Sequence, residues 1–287
     1  KKRQVMDDLL GSDLNRLTEL AMRVCLEHRR YRDYGRDEVE RALTAIVACF
    51  PVYRTYVRAG LGEVGSADAE IIRTVVREAT TQNPDIDGEL FEFLEGVLLL
   101  EYPGDAEREL VMRLQQLTGP VMAKGAEDTA FYSYNRFSML NEVGGDPGVF
   151  GTDPAELHEE YAYRAGHAPR AMVSSSTHDT KRSEDVRMRL AALSEIPAEW
   201  EQFVQSASVQ NDTYRSDGYP DRNIEYLFYQ TLVGAWPIDI DRMLAYMEKA
   251  AREAKVYTAW TSQDSAYEQA LRDFIRGAMS DDSFMKM

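Results

Sequence analysis

One pattern constrains this chain more than any other: apolar residues return at helical intervals through most of its length. Val5, Leu9, Leu10, Leu14, Leu17, Ala21 and Val24 fall on one stripe of a 3.6-residue period. Val39, Leu43, Ile46 and Val47 form a second stripe, with Asp37 placed to cap its start. Ile71, Ile72, Val75 and Val76 mark a third, over about 68–81. Two more helices are predicted over about 87–100 and 105–117, separated by Tyr102-Pro103-Gly104. The period returns later over about 183–193, 198–208, 222–232, 239–254 and 265–279. Two places interrupt it. Phe50-Pro51-Val52-Tyr53-Arg54-Thr55-Tyr56-Val57 is β-branched and aromatic, and reads as extended or strand-like. From about 119 to 176 glycines, prolines and aromatics replace periodicity. An irregular stretch that long is usually functional or part of a larger architecture.

Charge and composition exclude several classes of function. The net charge is −16 over 287 residues. A field of that sign repels phosphate backbones and anionic headgroups, so neither nucleic acid nor a membrane surface is an expected partner. No apolar run approaches the length of a membrane helix. The two cysteines, Cys25 and Cys49, sit in helical patterns and read as small core residues, which fits a reducing, cytoplasmic setting. No leader is legible, because Lys1-Lys2-Arg3-Gln4 runs straight into an amphipathic helix. A chain beginning with Lys reads as an excerpt of a longer polypeptide. There is no phosphate loop, no nucleophile elbow and no metal spacing among His28, His158, His167 and His178, so no cofactor or metal is expected.

The chemistry-bearing residues gather in two places. Ala171-Met172-Val173 leads as a short strand into Ser175-Ser176-Thr177-His178-Asp179-Thr180-Lys181-Arg182, and Ser183 can cap the helix that follows. Functional side chains of an α/β barrel lie where His178 and Asp179 would then fall, at the end of a strand. The motif is short, and a buried His–Asp pair with a purely structural task fits it equally well. The second cluster is Lys124-Gly125-Ala126-Glu127-Asp128-Thr129-Ala130-Phe131-Tyr132-Ser133-Tyr134-Asn135. It sets a cation and two carboxylates beside aromatic rings. Aromatic faces stack on sugar rings, and carboxylates and amides bind hydroxyls. Taken alone, it reads more simply as a turn with a local ion pair. Asn141-Glu142-Val143-Gly144-Gly145-Asp146-Pro147 reads as a turn.

Taken jointly, the stretch Ala123–Pro147 and the stretch Ser176–Asp185 resemble the maltooligosyl trehalose synthases, a family of the α-amylase superfamily of glycoside hydrolases. The resemblance extends to Phe50–Tyr56, Tyr229–Pro237 and Lys249–Lys255. It implies an enzyme of trehalose biosynthesis, an isomerase that converts the terminal α-1,4 linkage of a maltooligosaccharide into an α,α-1,1 linkage. Asp179 would stabilise the transition state. His178 would bind the same sugar ring, and Lys181, Arg182, Lys124, Glu127, Asp128 and Tyr132 would help hold substrate. No segment resembles the family's nucleophile or general-acid motifs, so the chain reads as an internal segment, inactive alone, whose partner is the rest of its own barrel. The expected fold is mainly α with a few strands: a helical insertion over 1–118, a barrel-derived segment of the (β/α)8 type with substrate loops over 119–195, and a helical segment over 196–287. The alternatives are a non-catalytic maltooligosaccharide-binding module, a structural helical module, and the partner hydrolase that releases trehalose. The run Lys124–Tyr132 speaks against the last.

Overall fold

The stripes predicted as helices are helical in a computed structural model that describes residues 1–287. The chain divides into two units, residues 1–126 and 127–287. The first holds α1 (Lys2–Asp8), α2 (Gly11–Glu27), α3 (Arg36–Cys49), α4 (Ser66–Gln82), α5 (Gly88–Leu98) and α6 (Asp105–Met122). Their inward faces bury Val24, Leu43, Ile46, Phe50, Val75, Phe93 and Leu114 in one core. Cys25 is buried there, and burial pushes its thiol up to about 11; Cys49 is only half-buried. Asp87 caps α5 by accepting from the Glu89 N–H at 2.9 Å. Two details differ from the sequence reading. The first stripe is broken at Leu9 into two helices, leaving Leu9 half-exposed. Gly35, not Asp37, occupies the N-cap of α3; Asp37 lies in the first turn, where its charge favours the positive end of the helix dipole.

The second unit is built on α7 (Pro154–His167), α8 (Glu184–Ala192), α9 (Pro197–Asn211), α10 (Arg222–Gly234), α11 (Ile240–Ala254) and α12 (Ser265–Ser280). Leu227, Phe228, Tyr229, Met243, Met247, Phe274 and Ile275 form its core. Asp221, Asp239 and Asp264 each cap the helix they precede. Helix α7 is absent from the periodicity because it buries no residue. Its start is nevertheless written in Asp153-Pro154, an N-cap followed by proline at the first helical position. Between α6 and Ser133 the backbone runs through a π-helix, Ala123–Ala130, and one further turn, Phe131–Ser133.

The expected strands do not form. The fold is all-α, with isolated bridges at Arg58–Glu63, Ser216–Tyr219 and Ala259–Ser262 and no piece of a (β/α)8 barrel. A strand needs a neighbour to pair its N–H and C=O groups. Met172 and Val173, in the expected barrel strand, have no such neighbour and are 98% and 93% exposed. Phe50–Val57 is extended in part but pairs with a side chain instead. The Gln115 carboxamide accepts from the Val57 N–H at 2.8 Å and donates to the Val57 carbonyl at 3.1 Å. Gln230 does the same in the second unit, accepting from Ser138 N–H at 2.7 Å and donating to the Asn135 carbonyl at 2.8 Å.

Two expectations follow. Gln115→Leu keeps the volume and orphans both buried polar groups of Val57, so urea denaturation should report a loss of about 2–4 kcal/mol. In the second unit the Arg252 guanidinium, bonded to Glu268 at 2.7 and 2.8 Å, holds that carboxyl below its usual range, and Thr258 adds a hydrogen bond. A depressed carboxyl stabilises above its unfolded-state value and loses that contribution as pH falls through the folded one. Acid titration of Glu268→Gln should therefore show a shallower fall in stability below the ordinary carboxylate range than the parent chain does.

Candidate active site

The loop 175–182 is folded by short-range hydroxyl contacts. Thr177 Oγ1 accepts from the Asp179 N–H at 3.2 Å, and its carbonyl accepts from Thr180 Oγ1 at 2.9 Å. Ser183 occupies the N-cap of α8 as expected, but its side chain makes no capping bond. Ser176 Oγ takes over part of that task, accepting from the Glu184 N–H at 2.9 Å. The loop is thus stitched to the start of the helix behind it.

Glu142 fixes the far side of the loop. Its Oε1 accepts from the backbone N–H of Lys181 at 2.8 Å, and its Oε2 from that of Arg182 at 3.3 Å; Oε1 also accepts from Val143 N–H. The π-helical stretch adds a second attachment. Asp128 Oδ1 accepts from Lys181 Nζ at 2.7 Å, in a pair whose lysine is nearly buried. Glu127, buried, accepts from the Gly144 N–H at 3.0 Å and so steadies the turn that carries Glu142. Arg182 donates through Nη2 to the Tyr246 hydroxyl of α11 at 3.1 Å. Tyr132 is buried nearby, where the charges of Arg182 and Asp128 act on it, and burial pushes its phenol well above its ordinary value.

The predicted residues therefore sort by task. Glu127, Asp128, Lys181, Arg182 and Tyr132 come together within the second unit; Asp128 and Lys181 bind each other, Glu127 binds backbone, and Arg182 binds the Tyr246 hydroxyl. Lys124 precedes the division at Ala126 and is exposed. His178 and Asp179 are exposed, and their side chains bond neither each other nor any other group of the chain. That geometry does not match a buried structural His–Asp pair. Sequence reasoning missed Glu142 and Tyr246. Glu142 lies in a stretch whose glycines and proline spell a turn, and composition does not distinguish a solvated turn carboxylate from one that clamps a loop 39 positions away.

If Glu142 holds the loop, removing its carboxylate frees the amides of Lys181 and Arg182 while leaving the core intact. In Glu142→Ala, hydrogen exchange at those two amides should speed up on the order of tenfold or more, from two lost bonds of about 1 kcal/mol each. The thermal midpoint should barely move, because the loop buries little apolar surface.

Comparison with known proteins bears on this geometry. No protein-family model matches the chain. A provisionally named maltooligosyl trehalose synthase of Mycobacterium tuberculosis is 40% identical over 174 residues, which is 58% of this chain and 22% of that protein. The solved maltooligosyltrehalose synthase of Arthrobacter ramosus superimposes on 99% of this chain with a TM-score of 0.83 and 35% identity; the match takes up 34% of that structure. A hypothetical maltooligosyl trehalose synthase from Sulfolobus tokodaii gives 0.75 and 31% over the same shares. The chain spans about a fifth of the curated relative and a third of the solved structures. From end to end, then, it has the fold of one segment of the solved maltooligosyltrehalose synthases it matches.

Proposed function

We propose that this chain is part of a glucan glucosylmutase of trehalose biosynthesis and contributes one side of its active site. The substrate is a maltooligosaccharide, whose terminal α-1,4 linkage is rearranged to α,α-1,1. The observation that carries the reading is the contrast inside one loop. Lys181 and Arg182 are tied down, whereas the neighbouring Asp179 carboxylate and His178 ring are exposed and unbonded. A scaffold that holds a loop by backbone and cations while leaving an acid and an imidazole unsatisfied suits recognition of an uncharged polar ligand.

The chemistry assigns each a task. A retaining glycosyl transfer proceeds through oxocarbenium-like transition states and a covalent glycosyl intermediate, using a nucleophilic carboxylate and a carboxylic acid. Those two groups belong, in this reading, to other parts of a longer polypeptide. Asp179 supplies a third carboxylate that holds sugar hydroxyls next to the reacting carbon and stabilises the positive charge developing there. His178 donates to a hydroxyl of the same ring. Lys181, Arg182, Glu127, Asp128 and Tyr132 set the loop's position, and Lys124 is a weaker candidate for contact with the glucan. The freed glucose must turn and re-attack before water does, which demands an enclosed site. The setting is the cytoplasm.

The test is made on the longer protein that carries this chain. Asp179→Asn preserves shape and removes charge. The mutase rate should fall on the order of a hundred- to thousand-fold, with the thermal midpoint unchanged. A lowered midpoint with a near-normal rate would return Asp179 to a structural role. The 287-residue chain alone should form no trehalose-type product from maltopentaose; product formation would refute the division of catalytic groups proposed here.

A further inference from the structure

The run Tyr229–Pro237 leads into a cleft that adjoins the loop site only at Ser183. Trp236 forms part of its wall, and the exposed side chains of Ser183, Asp185, Arg189, Asp239 and Arg242 line it; the cleft is open to solvent and holds about 260 Å3. That volume lies below the roughly 300–1,000 Å3 of drug-sized sites and suits a single ring. Trp236 is half-exposed. The chain has three tryptophans. Trp200 Nε1 donates to the Tyr226 hydroxyl and Trp260 Nε1 to Glu253, whereas the Trp236 indole N–H donates to nothing in the protein. The Trp236 carbonyl is held by the Arg189 guanidinium, which fixes the backbone under the ring.

The polar rim is equally specific. Two carboxylates face two guanidiniums, so the cleft carries no net charge to favour a phosphate or a cation. One Asp239 oxygen caps α11; the other, the Asp185 carboxylate, the Arg242 guanidinium and the Ser183 hydroxyl have no partner in the chain. An aromatic face beside unspent donors and acceptors of both kinds matches a ligand with an apolar C–H face and a rim of neutral hydroxyls. We propose that the Trp236 cleft is a binding site for one pyranose ring, stacked on the indole and hydrogen-bonded through Asp185, Asp239 and Arg242. That this ring is a glucosyl unit of an α-1,4-glucan rests on the proposed function; the pyranose class rests on the cleft alone.

The test is a titration of the 287-residue chain, 15N-labelled, with maltotriose, followed at its three indole N–H resonances and assigned with Trp236→Phe. The Trp236 resonance should move saturably in the millimolar range while those of Trp200 and Trp260 stay in place. Asp185→Ala and Arg242→Ala should each weaken the midpoint on the order of tenfold, the loss of one good hydrogen bond. Sorbitol, an open-chain polyol without a ring face, should leave the resonance unmoved. Absence of a shift at tens of millimolar maltotriose, or equal movement of all three indoles, overturns the proposal. A shift with cellotriose as strong as with maltotriose keeps the pyranose site and removes the α-glucan assignment. Because this readout involves no turnover, its failure beside a rate loss in Asp179→Asn would sink the cleft alone, and the opposite pair of results would sink the catalytic reading alone.

Discussion

An extended backbone buried without a sheet must find hydrogen-bond partners elsewhere, and in this protein two glutamines supply them. Gln115 presents its carboxamide to Val57 as a neighbouring strand would, one acceptor for the N–H and one donor for the carbonyl. Gln230 bridges Asn135 and Ser138 in the same manner, and Asn141 Nδ2 donates to the carbonyls of Phe131 and Tyr134, both at 2.8 Å. Leaving such groups unpaired costs more than a typical bond contributes, so each amide is held to its position by the backbone it serves. The arrangement lets irregular segments lie against helices in a fold without a β-ladder. In the second unit it brings the turn at Glu142 within reach of the loop that ends at Arg182.

The same device explains where sequence reasoning failed. Helices were legible because burial of one face imposes the 3.6 period, and α2 to α6 and α10 to α12 obey it; α8 and α9 bury one and two residues and carry it only weakly. Phe50–Val57 and Ala171–Val173 have strand composition, but composition measures only what would fit a pleated surface; whether a partner runs alongside is a tertiary fact. For Val57 the partner is a side chain 58 positions away. For Met172 and Val173 there is none within residues 1–287. Helix α7 was hidden because its few large apolar residues, Leu157, Tyr161 and Tyr163, sit among charges and are all exposed.

Within the site, residue types were legible and their roles were not. Lys181 and Arg182 stand beside His178 and Asp179 in sequence and looked like companions in binding. The fold separates them by their contacts, since the two cations are bound by Asp128 and Tyr246. A local motif gives the inventory of charges, and only the contacts tell which are left over. In a chain of net charge −16 that remainder is negative at Asp179, which agrees with stabilising a positive centre and disagrees with gripping an anion.

Glu142 also closes a circle. Between it and Lys181 the chain makes an excursion of which residues 151–179 are all exposed, yet both ends meet at one carboxylate. The entropy of closing such a circuit grows only with the logarithm of its contour, about 0.6 kcal/mol for each doubling. The excursion can therefore gain or lose whole turns of helix at almost no thermodynamic cost while the clasp stays fixed. Among proteins that share this architecture, length should drift over the exposed stretch 151–170 and hardly at all at the clasp or in the loop that carries His178 and Asp179.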